Sequence, residues 1–153
     1  MALFVLDTGI LLGVLRGADF AKAAFERHGL NVPDAEFVIS VVSQAELRAF
    51  PLRNNWGAER IEKLEMLLRK IPAVDINQPR ILSSFAEIKV FSEGRHPRLK
   101  LPGSACAIGD NDLWIAATTH VLRAHLLTTD KDFDPLAGPF IQRSYYDPKG
   151  TYS

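Results

Sequence analysis

The sequence is poor in the residues that build disulfides and thiolate metal centres. Its one cysteine, Cys106, excludes an intramolecular disulfide and a zinc site made of several thiolates. The histidines share no spacing typical of metal ligands, so we assign none of them a catalytic role; they are His28, His96, His120 and His125. Because structural disulfides belong to oxidising compartments, their absence favours a cytoplasmic protein.

The chain also lacks an excess of either charge and any long hydrophobic run. It has 18 Lys and Arg residues against 18 Asp and Glu residues. Proteins that grip duplex DNA over a wide surface are usually basic, so any contact with nucleic acid should be local. The apolar start, MALFVLDTGILLGVL, is interrupted by Asp7, has no basic leader and is too short to span a bilayer. We therefore expect no membrane partner.

What is present is the composition of an ordinary globular protein. Of the 153 residues, 47% are apolar and 24% are charged, and we find no internal repeat or low-complexity stretch. A chain of this length suits one domain with its own apolar core. We expect a single domain over residues 1–153.

Strand and helix patterns alternate along the chain. Short apolar or β-branched runs predict strands over 3–6, 37–42, 74–76, 125–129 and 141–146. Helical spacing of apolar residues predicts helices over 8–15, 19–27, 58–70 and 110–124, another beginning at Pro79, and one capped by Ser43. Residues 94–109 are predicted to form a loop. This alternation indicates an α/β protein with a largely parallel sheet.

Four carboxylates lie where such a fold would bring them together. Asp7 and Asp130 each follow a predicted strand, and open parallel sheets bind ligands beyond the carboxyl ends of their strands. Glu46 and Asp112 lie in the first turns of predicted helices, which begin at that same edge. We therefore expect all four side chains to converge.

Convergence of four acids requires a compensating charge. Two like unit charges about 4 Å apart repel by about 4 kcal/mol at an effective dielectric constant of roughly 20. No row of Lys or Arg accompanies these acids in the sequence. A divalent cation is the simplest compensation, and carboxylate ligands without Cys or His suit Mg²⁺ or Mn²⁺. Such a centre can activate water and orient in-line attack on a phosphodiester.

Each acid taken alone also has a simpler interpretation. Glu46 stands at the S-x-x-E position of a capping box that begins at Ser43. Asp112 is an acid in a first helical turn, which the helix dipole favours, and Asp130 could be a turn residue. Asp7 is the hardest to explain in this way because it interrupts an apolar stretch. The prediction therefore depends on the set and its order.

Two further acids lie beside this set. Asp110 is two residues before Asp112, and because positions i and i+2 of a helix do not share a face, we expect it to point away and cap the helix. Asp132 is two residues after Asp130 and could take its place.

Four segments resemble the acidic motifs of PIN domains, in the same order: LFVLDTGILL, SQAELRAF, GDNDLWIAATT and LLTTDKDF. The resemblance covers Phe4 to about Phe140 and is greatest to VapC-type toxins of toxin–antitoxin systems. It implies a three-layer α/β/α fold around a central, mainly parallel sheet, and an endoribonuclease that depends on Mg²⁺ or Mn²⁺. It also implies a homodimer, an RNA substrate and inhibition by a cognate antitoxin protein.

The resemblance also implies roles for individual residues. Asp7 and Asp112 would be the central metal ligands, and Glu46 and Asp130 would complete the acidic pocket. The polar residues that flank these acids could orient them or a phosphate, or could equally be helix caps; they are Thr8, Asn111 and Thr129. Arg95 and Arg98 in the segment GRHPRLK could hold an RNA backbone, although a solvated loop is the favoured interpretation.

Two other functions remain open at this stage. A phosphoryl-accepting or phosphatase-type domain also places an Asp after its first strand beside Mg²⁺, but here Gly9 stands where a second acid would be expected. A PIN-like binding module that has lost its chemistry is the other alternative, and the presence of all four acids argues against it.

Overall fold

The central strand, β1 (Leu3–Leu6), pairs in parallel with a neighbour on each side, so that Phe4 lies opposite Phe37 on one side and His125 on the other. The computed structural model describes residues 2–152. Its sheet has five strands, all parallel, in the order β3-β2-β1-β4-β5. The other four are β2 (Glu36–Ser40), β3 (Ala73–Val74), β4 (His125–Thr128) and β5 (Gln142–Tyr145).

Both faces of the sheet are buried, which is why β1 is an unbroken apolar run. Phe4 and Leu6 point into one core and Val5 into the other, as the alternation of side chains along a strand requires. Leu127 and Leu126 of β4 divide in the same way.

In the part of the chain that the structure describes, six α-helices form the two outer layers. They are α1 (Thr8–Arg16), α2 (Asp19–Arg27), α3 (Val41–Asn54), α4 (Ala58–Lys70), α5 (Pro79–Ser92) and α6 (Asp110–Leu122). The first four contribute to the core that holds Phe4, and the last two pack on the opposite face of the sheet through side chains such as Ile88 and Leu113. The predicted three-layer α/β/α fold with a parallel sheet is confirmed. Within residues 2–152, none of the helices combines the length and the apolar character that crossing a bilayer requires.

The boundary between β2 and α3 differs from the prediction. We expected the strand to run to Val42 and Ser43 to cap the helix, but β2 ends at Ser40, and Ser40 is the N-cap. Its hydroxyl accepts a hydrogen bond of 3.1 Å from Val42 N. A satisfied helix start outweighs the strand preference of the two valines. The capping-box interpretation of Glu46 is therefore wrong, because Glu46 lies beyond the first turn.

Three other local features differ from the prediction. Asp110 does not cap α6: the N-cap is Gly109, and the exposed Asp110 carboxylate pairs with Lys89 Nζ at 3.1 Å. The segment Lys131–Leu136 forms a 3-10 helix that the sequence did not predict. It begins because Asp130 Oδ1 accepts a hydrogen bond of 2.8 Å from Asp132 N. β3 is shorter than expected and ends at Val74.

Candidate metal centre

Asp7 is fixed at the carboxyl end of the central strand. Its backbone N–H donates to Leu127 O at 3.0 Å, and its side chain caps α1 by accepting a hydrogen bond of 2.7 Å from Thr8 N at Oδ1. The other carboxylate oxygen, Oδ2, accepts a hydrogen bond of 2.6 Å from Thr128 Oγ1. Only 5% of Asp7 is exposed. The orientation of this carboxylate is therefore set by two neighbouring elements, α1 and β4.

Glu46 reaches the same place from α3. Thr8 Oγ1 donates to Glu46 Oε1 at 3.1 Å and lies 3.2 Å from Ser43 Oγ. Ser43 is one turn before Glu46 on α3, so the two residues share a face of that helix. Glu46 is thus linked through Thr8 to the start of α1, beside Asp7.

Asp112 and Asp130 complete the cluster from α6 and the end of β4. One carboxylate oxygen from each of Asp112, Asp130 and Asp132 lies within 4.8 Å of the others, so these three acids are positioned to bind a divalent ion. Asp130 N donates to Thr128 Oγ1 at 2.9 Å, so the hydroxyl that contacts Asp7 also holds the backbone of Asp130. The sequence left open whether Asp132 replaces Asp130, and the structure brings both to Asp112.

The proximity of the acids changes their protonation. Burial raises the pKa of Asp7 to about 6, against the lowering effect of its hydrogen bonds from Thr128 and Thr8, and the charges of Glu46 and Asp130 raise it further. Burial raises the pKa of Asp112 to about 8, and the charges of Asp7, Asp130 and Glu46 and a hydrogen bond with Asp130 add to the rise. Without a cation, the cluster therefore retains a proton near neutral pH.

The donor set fits a divalent cation. Among residues 2–152, no Lys, Arg or His makes a salt bridge with Asp7, Glu46, Asp112 or Asp130. Carboxylate oxygens are the ligands that Mg²⁺ and Mn²⁺ prefer, and a doubly charged ion would replace the retained proton. The four sequence-predicted acids thus lie in one cluster, and their role as metal ligands remains a prediction.

Thr129 lies directly against the start of α1. A Cβ atom added at Gly9 would collide with Thr129 Oγ1, so the close approach of α1 to the end of β4 requires a glycine at this position. The same contact leaves no room for a second acid two residues after Asp7. This observation disfavours the phosphoryl-accepting alternative.

Of the other predicted substrate-binding residues, Asn111 lies beside the acids, whereas Arg95 and Arg98 contact α5. Asn111 is exposed and lines a groove together with Glu46. Arg98 instead pairs with Glu87 of α5 at 3.7 Å, and His96 Nε2 lies 3.4 Å from the same carboxylate. Arg95 N donates to Val90 O at 3.0 Å. These contacts anchor the GRHPRLK segment to α5, in agreement with the loop interpretation.

Sequence reasoning missed two residues that support the cluster, Thr128 and Ser43. Thr128 is completely buried and joins Asp7 to Asp130; Ser43 is completely buried and contacts Thr8. The available signals were a polar residue at the end of a buried strand and a serine one helical turn before Glu46.

Comparison with known proteins agrees with this geometry. The fold and the site together define the class of protein: an α/β domain with a parallel sheet and a candidate metal centre at the carboxyl ends of its strands. The sequence profile of the PIN domain matches residues 4–139, and the chain belongs to the PIN domain family. No curated protein sequence is significantly similar to the chain.

Several solved structures share the fold. A chain of VapBC2 from Rickettsia felis, bound to a DNA fragment from its promoter, is 20% identical with a TM-score of 0.71, covering 95% of this chain and 99% of that chain. VapBC-1 from nontypeable Haemophilus influenzae is 24% identical with a TM-score of 0.68, over 94% and 97% of the two chains. FitAcB from Neisseria gonorrhoeae is 17% identical with a TM-score of 0.69, over 97% and 99%. At these identities the likeness shows the fold alone.

Proposed function

We propose that this protein is a metal-dependent endoribonuclease, the toxin of a VapC-type toxin–antitoxin pair. PIN domains are a family of nucleases, and the observation that carries the proposal is the cluster of buried and half-buried acids without a cationic partner among the described residues. The specific proposals are an RNA substrate and Mg²⁺ or Mn²⁺ as the ion.

The chain's own residues would divide the work as follows. Asp7 and Asp112 would hold the ion, and the hydrogen bonds from Thr8 N and Thr128 fix the Asp7 carboxylate in advance. Glu46 and Asp130 would complete the pocket and would position the attacking water. When bound, the ion supplies Lewis-acid activation of water and neutralises charge on the phosphodiester.

The substrate would be oriented by polar groups at the rim of the cluster. Thr8 and Thr129 lie at the start of α1 and the end of β4, and Asn111 lies one residue before Asp112. We propose these three as contacts to RNA or to the acids. Arg95 and Arg98 are proposed as RNA contacts only outside the cluster, since Arg98 pairs with Glu87.

The proposed partners follow from the structures that share the fold. The similar chains belong to VapBC and FitAB assemblies, which include toxin–antitoxin complexes. We propose that a cognate antitoxin protein binds and inhibits this chain, that the chain forms a homodimer, and that it acts in the cytoplasm.

RNA cleavage by matched variants tests the function. Asp112→Asn and Asp7→Asn should each reduce cleavage at least about 100-fold, because loss of a metal ligand removes several kcal/mol of transition-state stabilisation. Asp110→Asn is the control, because Asp110 lies on the same helix but is exposed and pairs with Lys89. The measurement is the cleavage rate of total RNA with Mn²⁺ or Mg²⁺, with cleavage ends mapped. Full activity in Asp112→Asn would contradict the proposal.

A further inference from the structure

A groove opens beside the acidic cluster and runs along α3. It has a volume of about 460 Å³, and it is lined by Glu46 and Asn111 at the cluster and by apolar or aromatic residues such as Val42, Ala49 and Phe50 along α3. This volume lies within the roughly 300–1,000 Å³ that small-molecule sites occupy. The groove is therefore continuous with the proposed catalytic site, because Glu46 belongs to both.

Apart from Asn111, which belongs to α6, the residues of the groove form a single stripe on α3. Positions 42, 46, 49, 50 and 53 recur at helical spacing, so their side chains share one face of the helix. Arg53 is seven residues after Glu46, which places it about 10 Å further along the helix axis at 1.5 Å per residue. From Glu46 onward, the stripe thus runs from an acid through apolar side chains to a cation.

The charge of Arg53 has no acidic partner within residues 2–152, since none of the salt bridges there includes it. Its guanidinium carbon lies over the Phe50 ring, 5.3 Å from the ring centre, in a cation–π contact. Phe50 is only partly buried, so part of the ring faces the groove. An accessible aromatic ring next to an unpaired guanidinium suits a ligand that carries both a flat ring and a negative charge.

We propose that this groove is a nucleotide subsite for single-stranded RNA beside the scissile phosphate. The base packs against Ala49 and Phe50, and Arg53 pairs with the flanking phosphate. The inference rests on the proposed nuclease function and adds to it the residues that bind a neighbouring nucleotide. A single strand is required because the bases of a duplex are stacked on each other and cannot reach an aromatic side chain.

RNA rather than a peptide is the occupant that the chemistry favours. The groove starts at the cluster where the phosphodiester would be cut, so it offers a path for the next nucleotide of the same strand. Aromatic and guanidinium groups together recognise a base and its phosphate without regard to sequence. We therefore expect the groove to affect affinity for RNA more than the choice of base.

The test measures affinity and cleavage separately. Binding of a fluorescein-labelled single-stranded RNA oligonucleotide is followed by anisotropy in the Asp112→Asn background, where cleavage does not interfere. Phe50→Ala and Arg53→Gln are introduced there and in the active protein. Arg53→Gln is the more stringent variant because Arg53 is exposed, whereas Phe50 also packs against the core. Leu52→Ala is the matched control, since Leu52 is 87% exposed on α3 and does not line the groove.

Both groove variants should weaken RNA binding about tenfold, which lies within the lower half of the range expected for one stacked base, while Leu52→Ala binds normally. In the active protein the loss should appear in KM, and the preference for an oligonucleotide over a dinucleotide should shrink by a similar factor. Wild-type cleavage with unchanged affinity in both variants would overturn the subsite and leave the proposed function standing.

Two other results would also overturn the inference. If the wild-type protein neither binds nor cleaves RNA, the subsite and the proposed nuclease function both fail. If Phe50→Ala binds RNA normally but loses self-association in sedimentation, the groove belongs to a contact with a second copy of the chain.

Discussion

Thr128 is the side chain through which two acids of the cluster are held together. Its hydroxyl donates to Asp7 Oδ2 at 2.6 Å and accepts from Asp130 N at 2.9 Å. The bond to Asp7 is shielded from water, because Thr128 is completely buried and only 5% of Asp7 is exposed. A residue of this kind contacts no ion itself but sets where the ligands stand, and such supporting groups commonly change metal affinity by about 10- to 100-fold.

Thr128→Val should therefore weaken metal binding about 10- to 100-fold, because the isosteric side chain removes both hydrogen bonds without leaving a cavity. Titration calorimetry with Mn²⁺ measures the change, and urea unfolding should show a loss of about 1–3 kcal/mol. Thr128→Ser keeps the hydroxyl and should retain most of the affinity. Equal Mn²⁺ affinity in the valine variant and the wild type would contradict this role for Thr128.

At the same scale, the sequence pointed to the acids and to Thr8 beside them, but not to the supporting residues Thr128 and Ser43. Asp7 stands out because it interrupts an apolar strand, and Asp130 because it ends one. Thr128 and Thr129 are adjacent residues of the same type. The sequence could show which of them supports Asp7 only if the last residue of β4 were known. In the structure Thr128 faces Asp7 and Thr129 faces Gly9.

At the scale of elements, the contact between α1 and the end of β4 determines the geometry of the cluster. Asp7 caps α1, and Gly9 in the first turn lies against Thr129. Because both Asp7 and Asp130 flank this contact, a shift of α1 would change the distance between their carboxylates.

Gly9→Ala should destabilise the fold by about 1–3 kcal/mol, because its Cβ collides with the short Thr129 side chain and forces α1 outward. The free energy of unfolding in urea measures the effect. Gly57→Ala is the matched control: it also lies at a helix start, with nothing within 4 Å of the added Cβ. Equal free energies of unfolding for the two variants would contradict the claim that a Cβ atom at position 9 collides with Thr129.

Element types were more predictable than element boundaries. The helix Ala58–Lys70 begins and ends where its apolar stripe and Pro72 predict. The β2–α3 boundary was wrong because Val41 and Val42 favour a strand locally, whereas the Ser40 hydroxyl satisfies the first turn of a helix. The 3-10 helix after Asp130 depends on one side-chain cap, which a short polar sequence does not distinguish from an ordinary turn.

At the scale of the whole molecule, a balanced charge conceals a local imbalance. The chain carries 18 basic and 18 acidic residues, yet no basic side chain in residues 2–152 makes a salt bridge with the four central acids. The parallel sheet creates this imbalance, since strand ends and helix starts that are distant in sequence meet at one edge. The fold class followed from the alternation of strands and helices. The inclusion of Asp132 in the cluster depended on the turn after β4, which the sequence left undetermined.

The protons that the acidic cluster retains make the stability of the folded protein depend on pH. The folded-state pKa values of Asp7 and Asp112, about 6 and about 8, lie above the ordinary aspartate value of 3.8. The folded protein therefore binds more protons than the unfolded chain between about pH 4 and 8, and the metal-free protein should lose stability as pH rises through this range. For Asp7 alone the loss is on the order of 3 kcal/mol. Burial lowers the pKa values of His28 and His125, so these histidines make stability rise with pH in the acidic range. Their contribution is the same in Asp112→Asn, so a comparison with this variant removes it.

The most direct test of whether a cation belongs in the acidic cluster is the pH dependence of the free energy of unfolding. It is measured with and without Mn²⁺ across pH 5 to 8, about the range of these pKa values. We predict that stability without metal falls as pH rises, less steeply in Asp112→Asn. Mn²⁺ at about 100 times its Kd should add roughly 2.7 kcal/mol to the wild type at the upper end of that range. Its effect should be smaller at acidic pH, where protons compete for the carboxylates. If the wild-type protein is equally stable with and without Mn²⁺ at the upper end of this pH range, the assignment of these acids to a metal centre is contradicted.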